Sequence, residues 1–140
     1  MRLIPLIRIL FITAFLIFVL NKFCLRPWVL KMESSSIAEV LVYSIPNLCE
    51  AIMGTIVTTA LLFMLNDRLK LKLRDVYVYA ISISFAAIYV ISQELKYHNI
   101  GGNNVYDFND LLASIIGLLF IAVVLFTFGF RESSIERSQD

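Results

Sequence analysis

Residues 110–130 read DLLASIIGLLFIAVVLFTFGF, and no charged side chain follows Asp110 in this stretch. A bilayer core about 30 Å thick is crossed by about 20 apolar residues, because an α-helix rises about 1.5 Å per residue. In lipid only helices and closed barrels satisfy the backbone, and a barrel strand would alternate apolar and polar residues. The continuous apolar run therefore predicts a membrane-spanning helix.

Three more segments of the chain have this length and character. The 140 residues are 59% hydrophobic and 16% charged, with a mean hydropathy of +0.82. Globular domains carry nearer about 25% charge, so this composition indicates a membrane protein and gives no sign of a nucleic-acid partner. We predict an all-α fold, a four-transmembrane-helix bundle in one domain over 1–130, followed by a short polar tail at 131–140. The predicted spans are 3–20, 46–65, 76–95 and 110–130.

The second apolar stretch, 37–65, is too long for one simple crossing. Pro46 divides it, and proline is well tolerated in a first helical turn. We therefore expect the second span to begin near Pro46 and a short interfacial helix, 36–43, to precede it. The first stretch resembles a secretory signal, but no small-residue cleavage site follows, so we interpret it as a retained anchor.

Lysines and arginines predict the orientation of the bundle. With four spans both termini share a side, and that side holds eight of these residues against four on the other. The positive-inside rule then places both termini, the polar tail and the basic loop 66–75 in the cytoplasm. The connections at 21–43 and 96–109 would face outward. We predict a multi-pass protein of the bacterial cytoplasmic (inner) membrane.

Four acids lie within or at the ends of the apolar spans, where an ionisable group is costly. On this topology all four would lie near the outward face, and Asn47 could join them. Polar residues of the 96–109 connection, His98, Asn103, Asn104 and Asn109, could complete an acidic pocket beneath Gly101 and Gly102. The predicted ligand-binding residues are Glu50, Glu94, Asp107, Asp110 and Asn47.

Simpler roles are available to the same acids. Asp107 and Asp110 fit a helix cap and a first-turn acid, which the helix dipole stabilises without any ligand. Glu94 could be solvated at the interface, and Glu50 could make a structural hydrogen bond. We expect the hydroxyl residues of the spans to pack between helices and bond to the backbone, namely Thr55, Thr58, Thr59, Ser82, Ser84 and Ser114.

Glu94, a glycine-bearing polar loop and then residues 107–117, DFNDLLASIIG, resemble the C-terminal signature of VanZ-like membrane proteins. The resemblance implies a role in the bacterial cell envelope, as in the low-level teicoplanin resistance associated with the founding member. It also implies that Glu94, Asp107 and Asp110 form the polar centre and that Gly117 is a close helix contact. Many relatives carry an aspartate-lysine pair and a histidine where this chain has Pro46, Asn47 and Glu50.

Three classes of function remain open. The first is an envelope protein whose outward acidic pocket binds a cationic or polyhydroxylated ligand or a lipid headgroup. The second is a membrane enzyme acting on a lipid-linked substrate, although the sequence shows no catalytic triad or metal-ligand histidine set, so no catalytic residue or cofactor is assigned. The third is a structural subunit whose small residues contact a membrane-protein partner, namely Gly54, Ala60, Ala113 and Gly117.

Overall fold

The computed structural model describes residues 4–31, 36–94 and 108–131. Helix accounts for 92% of these residues, and they contain no β-strand, which confirms the all-α class. The elements in chain order are α1 (Pro5–Leu20), a π-helical segment (Asn21–Leu25), α2 (Arg26–Lys31), α3 (Ser36–Leu69), α4 (Asp75–Glu94) and α5 (Phe108–Phe128).

Within the described residues, four helical stretches are long and apolar enough to cross a membrane. They are Pro5–Lys31, which joins α1, the π-helical segment and α2, and then Ile37–Leu69, Asp75–Gln93 and Phe108–Phe128. Large apolar side chains are exposed along all four stretches, including Phe15, Leu61, Phe85 and Val123. A surface so rich in exposed apolar residues requires lipid around it, which is the pattern of a multi-pass membrane protein.

Two predicted span boundaries differ from the observed helices. Helix continues beyond Leu20 to Lys31, where we expected a connection, and α3 runs without interruption through Pro46. The short interfacial helix that we predicted at 36–43 is therefore the first part of α3 and not a separate element. Proline removes one backbone hydrogen bond, yet the rest of the helical ladder continues, because apolar surroundings offer no other partner to the backbone.

Helix α3 lies at the centre of the bundle and packs against α1, α4 and α5. Where α3 and α5 meet, Gly117 lies against the backbone of α3. A Cβ atom on Gly117 would lie 2.7 Å from the carbonyl oxygen of Leu48 and 3.1 Å from the Cβ of Ala51. The absence of a side chain is what lets the two helices approach, which confirms Gly117 as a close helix contact.

One end of the bundle, which we call the proximal end, holds Ile4, residues 66–75 and the two residues Phe130 and Arg131. The ring of Phe130 is fully buried and stacks on that of Phe63 with centroids 5.5 Å apart. The Phe130 backbone N–H donates to the Tyr79 hydroxyl at 3.0 Å, and its carbonyl accepts from the Ile4 N–H at 3.3 Å. The chain after α5 thereby contacts three other segments.

Buried hydroxyl groups in the spans bond to their own helix. Thr55, Thr59 and Ser82 donate to the carbonyl four residues earlier at 2.7–2.8 Å, and Thr58 and Ser84 do the same from less buried positions. This confirms the predicted backbone bonds for five of the six residues, and the burial of Thr55, Thr59 and Ser82 agrees with packing between helices. Ser114 differs, because its buried hydroxyl has no hydrogen-bond partner in the described part of the chain.

Candidate functional site

The opposite end of the bundle, the distal end, holds the beginnings of α3 and α5 and the end of α4. Helices that alternate in direction bring these three termini together, as the predicted topology requires. Asp110 lies in the first turn of α5, and Glu94 is the last residue of α4. The first-turn position is also the one that the helix dipole favours for an acid.

A side-chain hydrogen bond joins α3 to α5 at this end. The Ser44 hydroxyl donates to Oδ1 of Asp110 at 3.1 Å, between residues 66 positions apart in the chain. Ser44 is buried and Asp110 is half-buried. Because α3 has no interruption at Pro46, its first turns continue along α5 and carry Ser44 to the level of Asp110. A carboxylate at the rim of an apolar bundle is thus held in place by a neighbouring helix.

Glu50 lies on a different side of α3. It is six residues from Ser44, and at about 100° per residue the two side chains leave the helix about 120° apart. Glu50 is exposed, and the charge that acts on it comes from Lys22 in the π-helical segment. The contacts described here therefore do not join Glu50 to Asp110 in one rim. Ligand binding by Glu50 stays a prediction, on a surface separate from that of Asp110.

The other predicted site residues are only partly described. Asn47 is half-buried on α3, one turn after Ser44. Glu94 ends α4, but its side chain lies outside what the structure describes. Asp107 also lies outside the described residues, as do His98, Asn103, Asn104 and the glycine pair at 101–102. Asn109 is exposed at the start of α5.

Sequence reasoning missed Ser44, Asn21 and the unusual state of Ser114. Asn21 is fully buried, and neither its amide nitrogen nor its oxygen has a partner among the described residues. A buried polar group without a partner is rare and calls for an explanation. No pattern in the sequence predicts that Asn21 is buried, because an amide beside a lysine after an apolar run indicates the end of a span.

The Ser44 and Asp110 pair offers acceptor oxygens to a ligand arriving from the distal end, because the one Ser44 proton is donated to Asp110. A carboxylate accepts hydrogen bonds from ammonium or hydroxyl donors. Such a pair suits a cationic or hydroxylated molecule. Among residues 4–31, 36–94 and 108–131, no group of three or more histidine, cysteine, aspartate or glutamate side chains could hold a metal ion.

Comparison of the chain with models of known protein families, with curated proteins and with solved structures found no match.

Proposed function

We propose that this chain is a VanZ-like protein of the bacterial cytoplasmic membrane, with four spans, both termini in the cytoplasm and a ligand-binding distal end that faces outward. Its ligand is a cationic or polyhydroxylated molecule or a lipid headgroup, and its role is in antibiotic resistance or envelope maintenance. Asp110 is the central ligand-binding residue, and Glu94, Asp107 and Asn47 contribute from the same end.

The observation that carries this proposal is the hydrogen bond from Ser44 to Asp110. A carboxylate serving only the helix dipole needs no partner on another helix. Here a buried hydroxyl from α3 fixes the orientation of the carboxylate, which is the support that a binding group needs to keep its geometry. The VanZ-like pattern of Glu94, Asp107 and Asp110 agrees with this assignment.

The two ends of the bundle also differ in composition. At the proximal end Arg131 pairs with both Asp67 and Asp75 at 3.2 Å, so these acids have a cation within the protein. At the distal end the Asp110 carboxylate accepts a hydrogen bond from the neutral hydroxyl of Ser44.

Glycopeptide susceptibility of bacteria expressing the chain tests the proposal. Wild-type protein should raise the inhibitory concentration of teicoplanin, and Asp110→Asn and Glu94→Gln should abolish that increase while membrane abundance stays normal. A hydrogen bond to a charged group contributes about 1.5–3 kcal/mol, so each change should weaken ligand binding about tenfold or more. Asp67→Asn, an acid of the proximal end, serves as the matched control.

Full protection by both distal variants would contradict the binding proposal and favour a structural subunit. A stoichiometric partner in native purification would support that subunit reading independently. Turnover of a lipid-linked substrate by purified protein, lost on Asp110→Asn, would instead identify a membrane enzyme.

A further inference from the structure

A second charged surface lies on the side of the bundle, away from Asp110. It is formed by Lys22 and Arg26 in the first membrane stretch and by Tyr43 and Glu50 on α3, and we call it the lateral patch. The guanidinium of Arg26 lies over the Tyr43 ring, 4.3 Å from its centroid. Lys22 acts electrostatically on Glu50. These two relations align the π-helical segment with the stretch of α3 that contains Pro46.

Depth places the lateral patch at the edge of the hydrocarbon. Twenty residues of α3 counted back from Asn66 reach Pro46, which is about the 30 Å thickness of a bilayer core. Tyr43 and Glu50 lie seven residues apart, about 10 Å along the helix, and they straddle this boundary. Lys22 and Arg26 therefore flank the level at which lipid phosphates begin.

The two cations are accessible, and neither pairs with a carboxylate of the described residues. Lys22 is exposed and Arg26 is half-buried. In the described chain no carboxylate lies within 4.0 Å of either side chain, since the ion pairs found there belong to Arg131. Stacking on Tyr43 fixes the plane of the Arg26 guanidinium and leaves its N–H groups available as donors. Such a fork suits a phosphate group.

Local backbone irregularity marks the same place. The π-helical segment Asn21–Leu25 lies here, and π-helical turns often occur at functional sites. The buried Asn21 amide, without a partner among the described residues, opens this segment. Across from it, Pro46 has no N–H to donate to the Val42 carbonyl. Two neighbouring helices thus depart from regular bonding at one depth, although packing alone would favour regular helices.

We propose that Lys22 and Arg26 bind the phosphate of an anionic phospholipid in the outward-facing leaflet. A lipid fits better than a soluble ligand because the patch lies on the lipid-facing flank, beside the exposed side chains of Phe23 and Trp28. An anionic headgroup fits because phosphate oxygens accept hydrogen bonds from both the Lys22 ammonium and the Arg26 guanidinium. This inference rests on the proposed orientation but not on ligand binding at Asp110.

The chain contains one tryptophan, Trp28, which is 60% exposed and lies two residues from Arg26. Its fluorescence reports the lipids around the lateral patch. The full chain is reconstituted in phosphatidylcholine vesicles that contain either brominated phosphatidylglycerol or brominated phosphatidylcholine at one mole fraction. Each basic residue near a membrane surface contributes about 1 kcal/mol, so quenching should show about fivefold enrichment of the anionic lipid per cation.

Lys22→Gln and Arg26→Gln should each lower that enrichment about fivefold, whereas Arg26→Lys should retain most of it. Arg74→Gln, a cation of the proximal end, is the matched control and should leave it unchanged. Equal quenching by the two brominated lipids, or enrichment that survives both glutamine variants, would overturn the proposal.

Two additions separate the alternatives. Excess inorganic phosphate in the buffer should not change the enrichment of the anionic lipid. If added phosphate abolished that enrichment, the patch would bind free phosphate and not lipid. Asp110→Asn should leave quenching unchanged even where it abolishes glycopeptide protection. A failure at one site is thereby distinguished from a failure at the other.

Discussion

Arg131 pairs with two aspartates and an aromatic ring at the proximal end. Its guanidinium pairs with Asp67 and Asp75 at 3.2 Å and lies 4.5 Å from the centroid of the Phe63 ring. Asp67 ends one span region and Asp75 begins the next, so a single residue after α5 holds the turn between α3 and α4. The side chain is 29% exposed, which reduces the solvent screening of its ion pairs.

Arg131→Gln should lower the stability of the bundle. Partly exposed ion pairs contribute up to about 1 kcal/mol each and a cation over an aromatic ring contributes a similar amount, so we expect a loss of about 1–2 kcal/mol. Thermal unfolding in detergent measures the effect, with Arg74→Gln as a control that removes an equal charge from the same end. Equal melting temperatures for the two variants would show that the Arg131 contacts carry no stability.

Of the residues at the distal end, the acids are predictable from the sequence and Ser44 is not. Acids such as Glu50 and Asp110 are conspicuous because charge is rare in an apolar span, so the sequence marks them as candidate site residues. Ser44 is not marked in this way, because a serine in an apolar run is an ordinary helix-packing residue. Its pairing with Asp110 depends on the register between α3 and α5, which no local pattern encodes.

At the scale of elements, the glycines of α3 and α5 have opposite surroundings, and the contact between the two helices depends on Gly117. A Cβ atom added to Gly117 would lie 2.7 Å from the Leu48 carbonyl oxygen. A Cβ atom added to Gly54 would meet nothing within 4 Å. From the sequence, both glycines were candidates for contact with a membrane-protein partner. The structure shows that Gly117 is used within the chain, while Gly54 faces open space.

Gly117→Ala should force α3 and α5 apart and destabilise the protein by about 1–3 kcal/mol, the usual cost of overpacking. Gly54→Ala should be neutral or stabilise by up to about 1 kcal/mol, because alanine is the better helix former. Thermal unfolding of both variants gives the comparison. A stability loss at Gly54 equal to that at Gly117 would show that the close contact with Leu48 is not the cause.

Element boundaries were the part of the fold that the sequence located least well. Pro46 was expected to end one element and begin another, yet α3 continues through it over 34 residues. Proline within a helix costs a few kcal/mol, about 3 or more, at one position. A break in the helix at Pro46 would instead leave several backbone groups without hydrogen bonds in apolar surroundings. The extra length matters to the site because it brings Ser44 to Asp110.

For the whole molecule, the arrangement of polar and apolar groups is the reverse of that in a water-soluble protein. Thr55, Thr59 and Ser82 are fully buried, while large apolar residues cover the outside of each membrane stretch. Buried hydroxyls bond to carbonyls of their own helix, so burial leaves few polar groups unpaired. This reversal requires a bilayer around the bundle, but it does not by itself orient the bundle in that bilayer.

Cysteine labelling tests the predicted orientation. The background carries Cys24→Ser and Cys49→Ala, and single cysteines replace Leu71 at the proximal end or Lys31 at the distal end, both of which are exposed. An impermeant maleimide added to intact cells should label the Lys31→Cys protein, and the Leu71→Cys protein only after permeabilisation. The reverse pattern would place the distal end in the cytoplasm and remove the outward-facing site.

The four apolar helices are predictable from the sequence alone, because the length of a span follows from the thickness of the bilayer and its low charge content from the cost of charge in lipid. The sequence also identified the acids that need an explanation, since the cost of a charge in lipid is a local property. The partners of those acids depend on the tertiary structure. Asp110 accepts a hydrogen bond from Ser44, and Glu50 lies on another side of α3, where the charge of Lys22 acts on it. The side of a helix on which a residue lies has meaning only after the neighbouring helices are in place.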